Sequence, residues 1–231
     1  MKQKLITGQR VKKTRVKTAK GRIASSTRWI QRQLNDPFVL EARKQGYRAR
    51  SAFKLIELND EFKFLSKGKK VVDLGAAPGG WTQVIVQLIK STAENPLVTA
   101  LDILPMKEIE GAKIITMDFM LPEAPVKLKE MTGGKVDVVV SDMAPNTTGT
   151  PSVDHIRIMQ LVEEAYNFAT EILNDDGVFV AKVFQGGTEQ ELLARMKRDF
   201  KVVKHAKPMA SRKESPEEYV VAKGFRGGRE Q

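Results

Sequence analysis

Cysteine is absent from the 231 residues, and histidine occurs only at His155 and His205. Without thiols there is no disulfide, no thiolate zinc site and no cysteine nucleophile. With two imidazoles a metal site would rest mainly on carboxylates, and no metal site is read from the sequence. No run of about 18 uninterrupted apolar residues occurs, so no membrane-spanning helix is expected, and no membrane partner is assigned. No apolar stretch near the start resembles a secretory signal. The chain fits a reducing, cytoplasmic setting. Acid is missing from the first 35 residues, which carry 11 Lys and Arg. From Asp36 onward 28 basic residues meet 28 acidic ones, so the whole formal charge of +11 belongs to the first stretch. A near-neutral globule with a basic arm points to a polyanionic partner, either nucleic acid or an anionic membrane, of which nucleic acid is the one expected. Acid-poor starts also occur in mitochondrial transit peptides, but this arm lacks a clear apolar helical face.

A mass of 25.8 kDa suits one α/β domain and would cramp two. Residues 1–26 read as a flexible basic arm, 27–224 as a single domain and 225–231 as a tail. Helices are expected over 27–45 and 50–60, on the substrate side. Between them lies a basic turn holding Arg43, Lys44, Tyr47, Arg48 and Arg50. Strands then alternate with helices. Strands are expected at 70–75, 97–101, 113–117, 136–141, 177–184, 201–205 and 217–223. Helices are expected at 80–89, from Pro151 through the face Leu161, Val162, Ala165, Phe168, Ala169 and Ile172, and at 187–200. This alternation predicts a doubly wound, mostly parallel sheet covered on both faces. Ligands of such sheets bind outside the carboxyl ends of the strands. Asp73, Asp102, Asp118, Asp142 and Lys182 all fall at or near those ends.

The first strand runs through Gly75, Ala76, Ala77, Pro78, Gly79, Gly80 and Trp81 into a helix. Strand, glycine loop and helix resemble a nucleotide-binding arrangement, but G-x-G-x-x-G is absent and Pro78 removes an amide donor. A pyrophosphate wants those amides. The loop suits a cofactor without phosphates, and S-adenosylmethionine is one. Asp102 is placed to accept from ribose hydroxyls and Asp118 from an adenine amine. The candidate cofactor residues are Gly75, Gly79, Trp81, Asp102, Asp118 and Asp142. Turn chemistry for the glycines and acids, core packing for Trp81, and NAD as the ligand are the competing readings.

Three segments carry a family resemblance: D-L-G-A-A-P-G-G-W from Asp73, S-D-M-A-P-N from Ser141 with the following G-T-P, and K-V-F-Q-G from Lys182. They closely resemble the FtsJ family, and the likeness extends from about Ser25 to Gly224. The resemblance implies a Rossmann-like S-adenosylmethionine-dependent methyltransferase fold with seven strands, the last antiparallel. It implies a catalytic set of Lys54, Asp142, Lys182 and Glu217. It also implies a uridine ribose of large-subunit (23S) ribosomal RNA as substrate, presented within a ribosomal particle.

The residues support part of this set on their own. Lys182 lies inside an apolar strand, where a lysine is either snorkelling or held by carboxylates. Its strand should neighbour the one ending at Asp142. Strand alternation lets only one of Glu217 and Glu218 face the site. Methyl transfer to a hydroxyl is an in-line displacement that must also remove a proton. Lys182 is read as the general base, oriented by Asp142 and completed by Lys54 and Glu217. In the rival reading Lys182 only steers the hydroxyl and the proton leaves late. Without cysteine, covalent attack on a pyrimidine ring is excluded. Arg43, Lys44, Arg48 and Arg50 are the expected RNA contacts, with Trp29 and Tyr47 as candidate stacking residues. Transfer RNA or another RNA as substrate, a small-molecule methyltransferase and a non-catalytic RNA-binding assembly factor are the alternatives. A monomer is expected.

Overall fold

A computed structural model describes residues 24–145, 148–184 and 190–227, without the side chains of 24–26, 28, 29, 32 and 151. Nearly all of the expected arm lies outside the described residues. Two short helices open the described chain, α1 (Ala24–Asn35) and α2 (Pro37–Lys44). The sequence pattern suggests one helix here. Pro37 breaks it, because proline disfavours helical geometry in the residue before it. Asp36 is accordingly extended, and its Oδ1 accepts from the Phe38 amide at 3.0 Å, capping α2. Helix α3 (Ala52–Phe62) follows the basic turn.

The sheet is built from β1 (Val71–Leu74), β2 (Val98–Asp102), β3 (Ala112–Thr116), β4 (Val136–Ser141), β5 (Leu173–Phe184), β6 (Phe200–Ala206) and β7 (Glu217–Phe225). Its order is β3-β2-β1-β4-β5-β7-β6. The first five strands in that order are parallel, and β7 runs antiparallel to both neighbours. Strand β1 is buried along its whole length, as a central parallel strand must be. Strand order reverses between β1 and β4, which opens a crevice at their carboxyl ends.

Helices α3 and α4 (Gly80–Ile89) cover one face. Leu55, Leu58, Trp81 and Ile85 pack there on Val71, Val138, Val140, Val178 and Val180. Helices α5 (Glu123–Thr132), α6 (Pro151–Ile172) and α7 (Gln190–Asp199) cover the other. Ala124, Leu128, Val162, Phe168 and Met196 pack there with Leu74, Val139 and Phe179. Helix α5 is not evident from the sequence pattern, since it buries only Ala124 and Leu128. Its Pro125 sits in the first turn, where no intrahelical amide bond is lost. Strand β5 begins earlier than expected, with a register shift beside Val136 and Val138.

Candidate active site

Side-chain alternation brings the titratable residues to one face of the sheet. Val138 and Val140 of β4 face α3 and α4, and Asp142 continues that parity just past the strand. Val178 and Val180 hold the same face on β5, and Lys182 follows them. On β7 the face belongs to Tyr219 and Val221, and Glu217 begins it. The antiparallel register sets Lys182 opposite Tyr219 and Glu217 opposite Phe184. Lys54 reaches the same place from the first turn of α3.

The four charges form one connected network. Lys182 Nζ lies 2.9 Å from Asp142 Oδ1 and donates to the Asp142 carbonyl at 2.8 Å. It also lies 3.5 Å from Glu217 Oε1. Lys54 Nζ donates to the other oxygen, Glu217 Oε2, at 2.9 Å. Both lysines are buried, at 7% and 6% exposure for Lys54 and Lys182. Two buried ammoniums between two carboxylates are the arrangement that makes such burial tolerable. Glu218 takes the opposite parity and sits across from Val183.

Burial alone would lower the pKa of Lys182, but Asp142 and Glu217 outweigh it and hold the ammonium above the ordinary lysine range. Burial would likewise raise Glu217, yet Lys182 and Lys54 bring its carboxyl down to about 2. Tyr219 completes the network and was not singled out by the sequence. Its hydroxyl donates to Asp142 Oδ1 at 2.7 Å. Burial, then the charges of Asp142 and Glu217, raise its pKa well above the usual phenol value, so it stays a donor. The signal was available: a tyrosine in an apolar strand needs a partner for its hydroxyl.

Beside this network lies the glycine loop. Gly75 has φ +76°, and a Cβ there would stand 2.7 Å from the Met143 amide nitrogen. Gly79 has φ +109°, and its Cβ would meet Ile109 and Arg48 at 2.8 and 2.9 Å. Both positions need a bare backbone. Gly79 caps α4 with no side-chain bond, which leaves the first amides of that helix free of side-chain caps. Asp102 Oδ2 accepts from the Ala77 amide at 2.9 Å and Oδ1 from Leu104 at 2.8 Å. Asp118 Oδ1 accepts from Met120 at 2.9 Å. Both acids therefore perform turn chemistry while remaining half-buried, Asp102 as the last residue of β2 and Asp118 just beyond the end of β3. The Trp81 indole is buried against Tyr219, ring centres 5.6 Å apart, and donates to the Ser51 carbonyl at 2.8 Å. Its side chain belongs to the core.

The expected RNA residues divide in two. Arg43 and Lys44 are exposed in the last turn of α2. Arg50 instead pairs with Asp36 at 3.1 Å and donates to the Ala210 carbonyl at 2.6 Å. Arg48 donates to three backbone carbonyls, those of Pro78, Lys107 and Glu108. Tyr47 packs edge-on to Phe53 and its hydroxyl donates to Gln87 at 3.2 Å. The side chain of Trp29 lies outside the described residues.

A family model for FtsJ-like methyltransferases matches residues 47–225, from the basic turn to the end of β7. The chain belongs to the FtsJ-like methyltransferase family. The ribosomal RNA large subunit methyltransferase E of Rhodospirillum rubrum is 57% identical over 222 residues, covering 96% of this chain and 84% of that one. The protein of the same name from Gluconobacter oxydans is 56% identical over 217 residues, covering 94% and 79%. Among solved structures, a Plasmodium falciparum protein described as a ribosomal RNA methyltransferase is 30% identical with a TM-score of 0.68, covering 79% of this chain and all of that one.

FtsJ-like methyltransferases use S-adenosylmethionine. The residues of this chain fit it. Asp73 is fully buried, its Oδ2 accepts from Thr82 at 2.7 Å, and its Oδ1 has no hydrogen-bond partner. Burial pushes its carboxyl up to about 7; the Thr82 hydroxyl opposes this, and Asp142 and Asp102 add to it. An acid-rich crevice of this kind, floored by bare glycines, suits a cationic cofactor carrying hydroxyls and amines.

Proposed function

We propose that this chain transfers the methyl group of S-adenosylmethionine to the 2′-oxygen of a uridine ribose in large-subunit (23S) ribosomal RNA, within a ribosomal particle. It acts as a monomer in the cytoplasm. The observation that carries the reading is the Lys54–Glu217–Lys182–Asp142 network standing beside the glycine loop. The curated relatives that bear the large-subunit methyltransferase name supply the substrate class. Among the described residues no helix is long and apolar enough to cross a membrane. Residues 1–26 serve as the arm that meets RNA, ahead of a single domain over 27–224 and a tail over 225–231.

Bound in the crevice, the cofactor supplies an electrophilic methyl group. Asp102 and Asp118 would hold its ribose and adenine, and Gly75, Gly79 and the Trp81 backbone would let it approach. Asp142 serves both the cofactor side and Lys182. The Lys182 ammonium donates to the ribose 2′-oxygen and turns a lone pair toward the methyl carbon. Glu217 and Lys54 keep that ammonium in place. Because Asp142 and Glu217 favour the ammonium form of Lys182, the hydroxyl proton would leave late, to solvent water, once the carbon–oxygen bond had begun to form and the methyl–sulfur bond to break. The reading of Lys182 as general base keeps one supporting observation: a second cation, Lys54, shares the Glu217 carboxylate with it. A pH–rate profile in single turnover separates the two. Steering by an ammonium gives a flat rate from neutrality toward the raised pKa of Lys182. A base gives a tenfold rise per pH unit across about two units or more.

The function itself is tested by methyl transfer from labelled S-adenosylmethionine to large ribosomal particles lacking the modification. Label on a ribose 2′-oxygen, reduced about a thousandfold or more in Lys182→Ala, is the expected result. Tight cofactor binding with no label on particles, naked rRNA or transfer RNA would favour a binding factor. Arg43→Gln and Lys44→Gln are expected to weaken RNA binding without changing cofactor affinity.

A further inference from the structure

Arg48 carries a positive charge in a basic turn, and the sequence assigns it to RNA phosphate. Its surroundings assign it elsewhere. The guanidinium lies between two loops that flank the crevice. Nη1 donates to the carbonyl of Pro78, in the glycine loop, at 3.3 Å. Nη1 and Nη2 donate to the carbonyls of Lys107 and Glu108, in the loop between β2 and β3, at 2.7 Å each. Gly79 leaves room for this seat, since a Cβ there would stand 2.9 Å from Nη1 and 3.2 Å from Cδ of Arg48. The base of the side chain is fixed as well. The Arg48 amide donates to Gln83 Oε1 at 2.8 Å, and Gln83 Nε2 returns a bond to the Gly46 carbonyl at 3.1 Å. Gln83 sits on α4, the helix that the glycine loop starts.

We propose that Arg48 is a positioning residue for the cofactor pocket, a fork that sets the spacing between the glycine loop and the β2–β3 loop. The inference rests on the reading of this crevice as the cofactor site. A planar guanidinium presents several donors in fixed directions and so spans two loops at once. An ammonium is a compact point charge and cannot reproduce that bridge. The two loops leave the carboxyl ends of neighbouring strands: Gly75 and Gly79 follow β1, and Lys107 and Glu108 lie in the chain leaving Asp102 of β2. Donors committed to backbone carbonyls are also withdrawn from phosphate. The basic turn thereby divides its labour, with Arg43 and Lys44 turned to solvent and Arg48 turned inward.

The test uses the full chain and titrates S-adenosylhomocysteine by calorimetry into wild type, Arg48→Lys and Arg48→Gln, without RNA. Arg48→Lys keeps the charge and loses the fork. It is expected to bind S-adenosylhomocysteine about ten- to a hundredfold more weakly, the range for lost hydrogen bonds from a charged donor. In turnover, KM for the cofactor rises while kcat at saturating cofactor and KM for RNA stay near wild type, a split that general loss of structure would not give. Arg48→Gln removes the charge, and the slope of log RNA affinity against log salt should not change. A phosphate ligand would lower that slope by about 0.7–0.9. Wild-type cofactor affinity in Arg48→Lys, or a reduced salt slope in Arg48→Gln, overturns the inference. Failure of the wild type itself to bind S-adenosylhomocysteine would instead overturn the cofactor reading beneath it.

Discussion

Glu217 shows how one side chain couples stability to chemistry. Two buried lysines share its carboxylate, and its pKa falls from an ordinary 4.5 to about 2. A depressed carboxyl stabilises the fold above its unfolded pKa and loses that contribution as pH falls toward its folded value. With 22% of its side chain exposed, the contribution is about 2–3 kcal/mol at neutral pH after allowance for solvent screening. Glu217→Gln should therefore cost about that much at pH 7, and the gap to wild type should close between pH 4.5 and 2. Urea unfolding of both proteins across this range checks it. A gap that stays constant with pH would mean that packing, not charge, holds the residue. At this scale the sequence was legible where chemistry was out of place. Lys182 stood out because a lysine in an apolar strand demands partners, and the partners are there. Lys54 did not stand out, since a helical lysine looks like a surface residue until its helix is placed on a sheet. Tyr219 does not stand out, because an aromatic in a strand reads first as packing.

Strand parity explains why the elements deliver those residues together. Two parallel strands and one antiparallel strand, distant in sequence, present Asp142, Lys182 and Glu217 on one face because each continues a buried valine or tyrosine series. Both β5 and β7 could be read from the sequence as strands, and the alternation of β7 separated Glu217 from Glu218, but the pairing of β7 with β5 could not be read, because pairing across the sheet is set by the whole fold. Helix boundaries were legible where a turn signal marked them, as at Thr150 and Pro151 before α6. They were obscured at Asp36, where the cap and the proline split an otherwise helical pattern, and at α5, whose apolar face is two residues wide. The loop before α4 yields a prediction at this scale. Gly75→Ala forces a side chain into the left-handed region and against the Met143 backbone at 2.7 Å. It should destabilise by about 2–4 kcal/mol and abolish most S-adenosylhomocysteine binding. Gly68→Ala has a similar φ of +83° with nothing within 4 Å. It should cost about 1 kcal/mol and leave binding intact. Melting and titration of the pair separate backbone strain from closure of the crevice.

Charge segregation organises the whole molecule. Nine Lys and Arg lie in residues 1–23, ahead of a domain whose charges nearly cancel. Replacing those nine with glutamine should leave S-adenosylhomocysteine affinity unchanged, weaken binding to rRNA at low salt and reduce the salt slope by about 3–6. Filter binding at several salt concentrations measures it, and an unchanged slope would remove the arm from the RNA interface. Composition made this division visible at once, because electrostatics at long range depends on charge and position more than on conformation.

The sheet order also sets a schedule for synthesis. Strand β7 lies between β5 and β6, and β6 pairs with the sheet only through it. While the ribosome is still making the chain, the crevice side of the sheet can assemble from β1 to β5. Glu217 and Tyr219 arrive only with the strand that ends at Phe225. The glycine loop and Lys182 are therefore made before Glu217 and Tyr219, the residues that tie that lysine and Asp142 into one network.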